Sequence, residues 1–330
     1  MTWESLDWEI LDRLRADFLS GAAANGPYWH TLTDLECYNF TFGQRIGWKW
    51  DAVLAELQRH GWRPPADTTV LDWGCGSGIA GRAVVDFFGA ERFRRLVVHD
   101  HSQLAMDFAE HQARKVFPSL AVERAGPSLL EGKETIGLLV LSHVLNELHD
   151  VDLPALGALL GRATAVLWVE PGNHEVSRVL GHWRKRLLGP FQVVAPCPHA
   201  APCGMLAPGN ERHWCHFFAP VPAGIQADSG WVKFGQRAGI DLRSLPYSFL
   251  ALDRRAPAPP AGFSRITGEP RLYNGYAKLF NCDATGVHEL TLQKRTAPDL
   301  FKRLKHGAGP ERHRWTRTGD VITAVAPPEA

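Results

Sequence analysis

Apolar positions in the first sixty residues recur three and four apart. In WEILDRLRADF, from Trp8, and in WKWDAVLAELQRHGW, from Trp48, this spacing predicts amphipathic helices, and WRPPADT closes the second with a loop. From Thr69 the period changes. TVLDWG, RLVVHD, IGLLVLSHV and TAVLWVEPG are short, almost wholly apolar runs separated by segments compatible with helix. Strands buried on both faces and joined by crossover helices read this way. The alternation predicts an α/β protein with a Rossmann-like doubly wound sheet behind an N-terminal helical lobe.

Beyond Glu170 the texture is mixed. HEVSRVLGHWRKRLLG predicts an amphipathic helix ended by Gly189, and FQVVAP a short strand leading into a cysteine-rich loop. A Pro/Ala-rich linker, RRAPAPPAGFS, precedes GYAKLFNCDATGVHELTLQ, where two β-rich runs flank a turn-like DATG and predict a hairpin. These breaks divide the chain into a helical lobe (1–65), a sheet core (66–190), a cysteine-rich loop (191–225), a segment completing the core sheet (226–255) and a small C-terminal β segment with a basic tail (256–330).

At 330 residues and 45% hydrophobic composition, the chain has material for one large or two moderate domains. No apolar run approaches the roughly 20 residues of a membrane span, and the start, MTWESLDWEILDRLRADFLSG, carries acids where a targeting presequence carries bases. The expectation is a cytoplasmic, bacterial protein without signal or transit peptide and without membrane contact. A formal net charge of +1 argues against indiscriminate coating of nucleic acid. The charge is uneven, however: between Lys294 and Arg317 eight Lys or Arg face only Asp299 and Glu311, with His306, His313 and Trp315 interleaved. Such a segment is either a phosphate-binding surface or a solvated tail.

Candidate chemistry begins in VLDWGCGSGIAGRAVVDF, which places a strand, a glycine-rich turn and a helix in that order, so backbone amides at the helix start are free to face a ligand. Gly76, Gly78 and Gly81 match the dinucleotide pattern G-x-G-x-x-G, with Asp100 following at the end of the next strand. Read one step earlier, Asp72, Gly74, Gly76 and Gly78 match the acid-x-G-x-G-x-G loop of class I S-adenosylmethionine-dependent methyltransferases. An acid just before the turn repels a pyrophosphate and suits a ligand carrying an ammonium and a sulfonium. Asp72 therefore favours the methyl donor, while Asp100 would accept from ribose hydroxyls in either reading. At the end of the fourth strand, Ser142 and His143 are candidates to line the ligand crevice, with Asn146 and Glu147 on a following helical turn. No Asn-Pro-Pro-aromatic motif is present and no general base is assignable, so the acceptor atom and the catalytic residues stay open.

Six cysteines complete the candidates. Cys37 and Cys75 read as small buried apolar residues. Cys197, Cys203 and Cys215 cluster in VVAPCPHAAPCGMLAPGNERHWCHFF, and Cys282 lies beside the predicted hairpin turn. Four thiolates on loops suit a 4Fe-4S cluster. His199, His213 and His216 among the three clustered cysteines equally suit zinc, and spacing alone leaves both open, together with no metal.

LDWGCGSG, LSHVLNEL, VEPGNHE, APCPHAAPC, HWCHF, YSFLAL and LFNC followed by Gly286, taken in this order over residues 65–295, resemble the methyltransferase-like proteins of the mitochondrial small ribosomal subunit and their bacterial relatives, the Rsm-twenty-two type. The resemblance implies a methyltransferase fold binding S-adenosylmethionine, with a 4Fe-4S cluster on Cys197, Cys203, Cys215 and Cys282, acting on the small ribosomal subunit and its rRNA. Two functions follow as expectations. One is an rRNA methyltransferase, monomeric away from the ribosome. The other is a non-catalytic RNA-binding assembly factor whose cluster, or zinc, is structural.

Overall fold

In the computed structural model, which describes residues 1–21, 28–305 and 312–326, the chain forms two compact units: Met1–Glu170 with Ala219–Leu245, and Pro171–Phe218 with Pro246–Ala330. The first opens with three helices. Asp7 caps α1 (Trp8–Ser20) by accepting from the amides of Glu9 and Ile10, and Gly21, at φ 74°, ends it. The helix α2 (Leu32–Phe40) starts in a Thr31/Asp34 capping box, a signal that the apolar spacing does not carry. The helix α3 (Phe42–Arg59) buries Ile46, Trp50, Val53, Leu54 and Leu57.

There follow β1 (Thr68–Trp73), α4 (Ile79–Phe88), β2 (Phe93–His99), α5 (Gln103–Val116), β3 (Ala121–Arg124), α6 (Pro127–Leu130), β4 (Ile136–Ser142), α7 (Leu153–Arg162) and β5 (Ala163–Pro171). The strands run parallel in the order β3-β2-β1-β4-β5. Their apolar runs fill the centre: Leu71, Leu96, Ile136 and Leu138 are fully buried. This is the Rossmann-like arrangement. Because β1 has β2 on one side and β4 on the other, the order reverses there, and sheets of this kind hold their ligands at the carboxyl ends of the strands flanking such a point.

The second unit begins with α8 (His174–Leu187), β6 (Gln192–Ala195) and β7 (Phe217–Phe218). The chain then returns to the first unit for α9 (Ser229–Ala238), which packs Phe234 and Ala238 with Leu6, Leu11 and Cys37, before β8 (Pro246–Asp253) runs antiparallel to β6 and β7. Residues 226–255 are therefore divided between the units, α9 in one and β8 in the other.

The C-terminal part holds more structure than a hairpin and a tail. It comprises β9 (Arg265–Leu272), β10 (Tyr276–Asp283), β11 (Gly286–Gln293), α10 (Pro298–Lys305), β12 (Trp315–Thr318) and β13 (Val321–Val325). The DATG segment supplies the turn, with Cys282 opposite Val287 and Asp283 opposite Gly286. The sheet order is β12-β13-β11-β10-β9, with β11 and β13 parallel. Reciprocal 2.8 Å hydrogen bonds between Ser264 and His313 join its two edges. The helix α10 packs Leu300, Phe301 and Leu304 with Ala277, Leu279, Leu290, Leu292 and Ile322. A five-stranded barrel with one helix between its third and fourth strands is the connectivity of the oligonucleotide/oligosaccharide-binding (OB) fold. Much of the basic run thus lies in α10 and β12. His313 is buried and stacks on Trp315, so it offers nothing to a phosphate, while His306 and Glu311 lie outside the described residues. Among the described residues no helix is long and apolar enough to cross a membrane.

Candidate functional site

The glycine loop follows β1 because its backbone demands it. Gly74, Gly76 and Gly78 have φ of 72°, 48° and 72°. A Cβ at Gly74 would sit 2.5 Å from Val144 Cγ1, and one at Gly78 2.7 Å from Ala109 Cβ, so larger residues meet both strain and collision. The amides of Gly74 and Cys75 donate to the His99 carbonyl at 2.8 and 2.9 Å, fixing the loop to the end of β2. Asp100 extends that link: one carboxylate oxygen accepts from Gly76 N and the other from Ser102 N, each at 2.9 Å. A carboxylate has about four acceptor sites, so capacity for ribose hydroxyls is left. Asp72 is fully buried, with Oδ2 accepting from Gly81 N at 2.9 Å and Oδ1 without a partner among the described residues. Gly81, the third glycine of the dinucleotide reading, has its own reason to be small, since a Cβ there would lie 2.7 Å from Asp72 Oδ2.

At the end of β4, Ser142 is tied into a chain of polar contacts. Trp50 Nε1 donates to its hydroxyl at 3.0 Å, His143 Nδ1 lies 3.3 Å from it, and His143 Nε2 lies 3.1 Å from Lys49 Nζ. His143 has φ 57°, a left-handed conformation uncommon outside glycine and frequent at functional sites. The residues after it, 144–152, form turns and not the helix expected from sequence, so Asn146 and Glu147 are presented on a loop. Glu147 accepts from the Tyr28 hydroxyl at 3.2 Å. Glu170, at the end of β5, is fully buried; its Oε1 accepts from Trp168 Nε1 and the amides of Val144 and Leu145, and its Oε2 has no partner among the described residues. Aromatic rings of the helical lobe stand beside the loop: Trp29 lies 4.0 Å from the Cβ position of Gly76 and packs on Tyr28 and Tyr38 at 4.5 and 5.1 Å between centroids. Sequence reasoning missed Tyr28, Trp29, Lys49 and Glu170. A carboxylate closing the apolar run of β5 was the available signal for Glu170.

Carboxyl groups gather here, with Arg82 acting on Asp72 and Lys49 on Glu170 as the nearby cations. Burial pushes Asp72 up to about 7, Glu170 up to about 7 and Glu147 up to about 8, and the charge of Asp100 raises Asp72 and Glu147 further. Burial also pushes Lys49 down to about 7 and His143 well below its ordinary value. An arrangement of this kind stabilises a cationic ligand and opposes a phosphate.

The second candidate centre lies wholly in the other unit. Arg178 of α8 donates through Nη1 to the carbonyls of Met205, Asn210 and His213 at 2.7, 3.1 and 3.0 Å, which gathers the long loop between Cys203 and Cys215. Arg184, nearly two turns further along α8, is buried; its Nε donates to Cys197 Sγ at 3.1 Å and its Nη2 to the His199 carbonyl at 2.7 Å, while Nη1 has no partner among the described residues. The Ser248 hydroxyl holds the Cys215 carbonyl at 2.6 Å, and Cys282 enters at the end of β10. Burial raises Cys215 well above the ordinary thiol value, and charge on Cys197, Cys282 or Cys203 raises it further; Cys282 is raised by burial and then by Cys197 and Cys203. The four sulfurs named from sequence therefore act on one another, yet among the described residues no three His, Cys, Asp or Glu side chains have closed to metal-binding geometry. Of the histidines, His199 Nε2 lies 3.5 Å from Cys282 Sγ, whereas His213 packs tilted against Phe280 and His216 stacks on Trp214. Cys37 and Cys75 are buried in the first unit.

A sequence model of the family described as mitochondrial small ribosomal subunit Rsm22 matches residues 45–321. That span runs from α3 to the first residue of β13 and contains the glycine loop, the four cysteines and most of the barrel. No curated protein sequence matches at a significant level. Similar solved structures include the magnesium protoporphyrin IX methyltransferase of Synechocystis PCC 6803 with bound SAH, at 13% identity over 74% of this chain and 99% of that one, with a TM-score of 0.38. A SAM dependent methyltransferase from Aquifex aeolicus is 15% identical over 44% of this chain and 80% of that one, with a TM-score of 0.33.

Proposed function

The chain belongs to the mitochondrial small ribosomal subunit Rsm22 family, and from that premise we propose that it binds S-adenosylmethionine and acts as a methyltransferase on the rRNA of the small ribosomal subunit. The observation that carries this reading is the pair of buried carboxylate oxygens, Asp72 Oδ1 and Glu170 Oε2, left without hydrogen-bond donors around a glycine loop. A ligand with an ammonium and a sulfonium favours the ionised form of these carboxyls; a nicotinamide dinucleotide brings more negative charge. Bound there, S-adenosylmethionine supplies an electrophilic methyl group. Asp100 accepts from the ribose hydroxyls while holding Gly76, and Asp72 and Glu170 balance the methionine end. Trp29 and Tyr28 shield the loop from water. Catalysis by this chain is mainly the positioning of an acceptor nucleotide.

The mutual influence of Cys197, Cys203, Cys215 and Cys282 is compatible with a 4Fe-4S cluster, for which the buried Arg184, with Nη1 without a partner among the described residues, would supply a countercharge. The 3.5 Å approach of His199 to Cys282 favours a second reading, a Cys/His zinc site. Metal and sulfide analysis of anaerobically purified protein separates the two: iron with acid-labile sulfide, lost in Cys282→Ser and kept in His199→Ala, supports the cluster, and one zinc sensitive to His199→Ala replaces it. Calorimetric titration with S-adenosylmethionine and with NADH tests the first site. Tritiated methyl transfer to small subunits from cells lacking the protein tests turnover, and its absence despite tight cofactor binding favours a non-catalytic assembly factor.

A further inference from the structure

The outer face of the barrel sheet is divided. Its inward positions, Ala277 and Leu279 on β10 and Leu290 and Leu292 on β11, are fully buried. Of the outward positions, those near the hairpin turn are covered by the cysteine-rich loop: Phe280 packs on His213 with centroids 4.5 Å apart and planes tilted by 38°, and a Cβ at Gly204 would meet Val287 N at 2.8 Å. The other half of the face is open. Residues 271–275, which end β9 and turn into β10, are exposed. There Tyr273, 44% exposed, stacks on Tyr276 with centroids 4.6 Å apart and planes at 9°. Arg271 and Lys278 are paired across β9 and β10, with Glu289 bridging them. Lys294 donates its backbone amide to the Gly275 carbonyl at 2.8 Å, which brings Lys294 and Arg295, both exposed, to the same turn. The turn between β12 and β13 also reaches this end of β11, where Asp320 accepts from Thr291 N.

Resting on the RNA-directed reading above, we propose that this open half-face is a binding site for single-stranded RNA. Tyr273 and Tyr276 form its base-stacking platform, and Arg271, Lys278, Lys294 and Arg295 make its phosphate contacts. OB-type barrels bind oligonucleotides on the face of their second and third strands between the first turn and the last, and here those are β10, β11 and the turns at 273–275 and 319–320. A ring stacked on one side and exposed on the other accepts any base, because every base has a π-face. Four cations near the turn would attract phosphate as well, but a stacked tyrosine pair at the same place selects unpaired bases. The site belongs to the second unit and the glycine loop to the first, so the site would hold the RNA of the proposed function by residues of the second unit.

The test is fluorescence anisotropy of labelled decauridylate with the full-length protein. Tyr273→Ala and Tyr276→Ala are each expected to weaken binding about tenfold, as loss of one stacked base does, while Tyr273→Phe and Tyr276→Phe retain it. Lys294→Ala and Arg295→Ala are expected to flatten the salt dependence, which the tyrosine variants leave unchanged. Unchanged affinity in both alanine variants, equal competition by duplex RNA, or tighter binding of decathymidylate overturns the proposal. Co-sedimentation with small subunits separates this site from the reading it rests on. A wild type that fails to co-sediment, yet binds decauridylate through the tyrosines, defeats the ribosomal role and leaves the site; a wild type that co-sediments, with tyrosine-independent binding, defeats the site alone.

Discussion

Asp72 is where packing and ligand chemistry meet. Its Oδ2 fills the space that Gly81 leaves open, so Gly81→Ala should destabilise the first unit by about 1–3 kcal/mol through overpacking, read by chemical denaturation. Its charge is costly. Asp72, Glu170 and Glu147 keep their protons in the folded state to about 7, 7 and 8, whereas in the unfolded chain they release them at about 4. Between these values the native state binds more protons than the unfolded one, so their contribution to stability falls as pH rises from about 4 to about 8. Lys49 runs the other way: its folded value, about 7, lies below the unfolded value of about 10.4, so its contribution rises across that interval. A cationic ligand favours the ionised carboxylates and must expel their protons. S-adenosylmethionine should therefore bind more tightly at pH 8.5 than at pH 6, with proton release visible as a dependence of calorimetric enthalpy on buffer. Asp100→Ala should weaken it further than loss of the ribose contacts alone, about 1.5–3 kcal/mol for bonds to a charged group, because Gly76 and Ser102 lose their acceptor too.

Among elements, α8 organises the second centre through two arginines. Arg178→Ala should free the carbonyls of Met205, Asn210 and His213 and speed proteolysis between Cys203 and Cys215, without altering S-adenosylmethionine binding in the other unit. Where sequence carried a strong local signal, the element was legible: the strand, glycine turn and helix from Thr68 to Phe88 each have a backbone or burial requirement that few residue types meet. The barrel was not. In β12, WTRT alternates half-buried and exposed residues without an apolar run, and β11 and β13 pair in parallel across an intervening helix, a contact no local pattern encodes. The same holds for Trp29 and Glu170, brought to the glycine loop from distant segments. Cysteine types and order were readable; their mutual approach depended on the hairpin, on α8 and on the loop that Arg178 gathers.

At the scale of the whole molecule, each candidate ligand set lies within one unit: Asp72, Asp100, Glu147 and Glu170 in the first, and the four cysteines with Arg184 in the second. Scanning calorimetry should therefore resolve two responses. S-adenosylmethionine at about a hundredfold over its Kd should stabilise the first unit by about 2.7 kcal/mol, and removal of metal by a chelator should lower the melting of the second. Neither unit is continuous in sequence, since the chain enters the second at Pro171, returns to the first at Ala219 and leaves it again after Leu245. The order of the sulfurs follows from this path. Cys197, Cys203 and Cys215 are synthesised first, and Cys282, the fourth residue of the proposed set, arrives only after the first unit has received its last segment and β10 has been made. If the proposed four-cysteine set holds a metal, a nascent chain halted anywhere between the third cysteine and the fourth carries an incomplete set of thiols, and loading of the site would be a chemical record that translation has passed into the barrel.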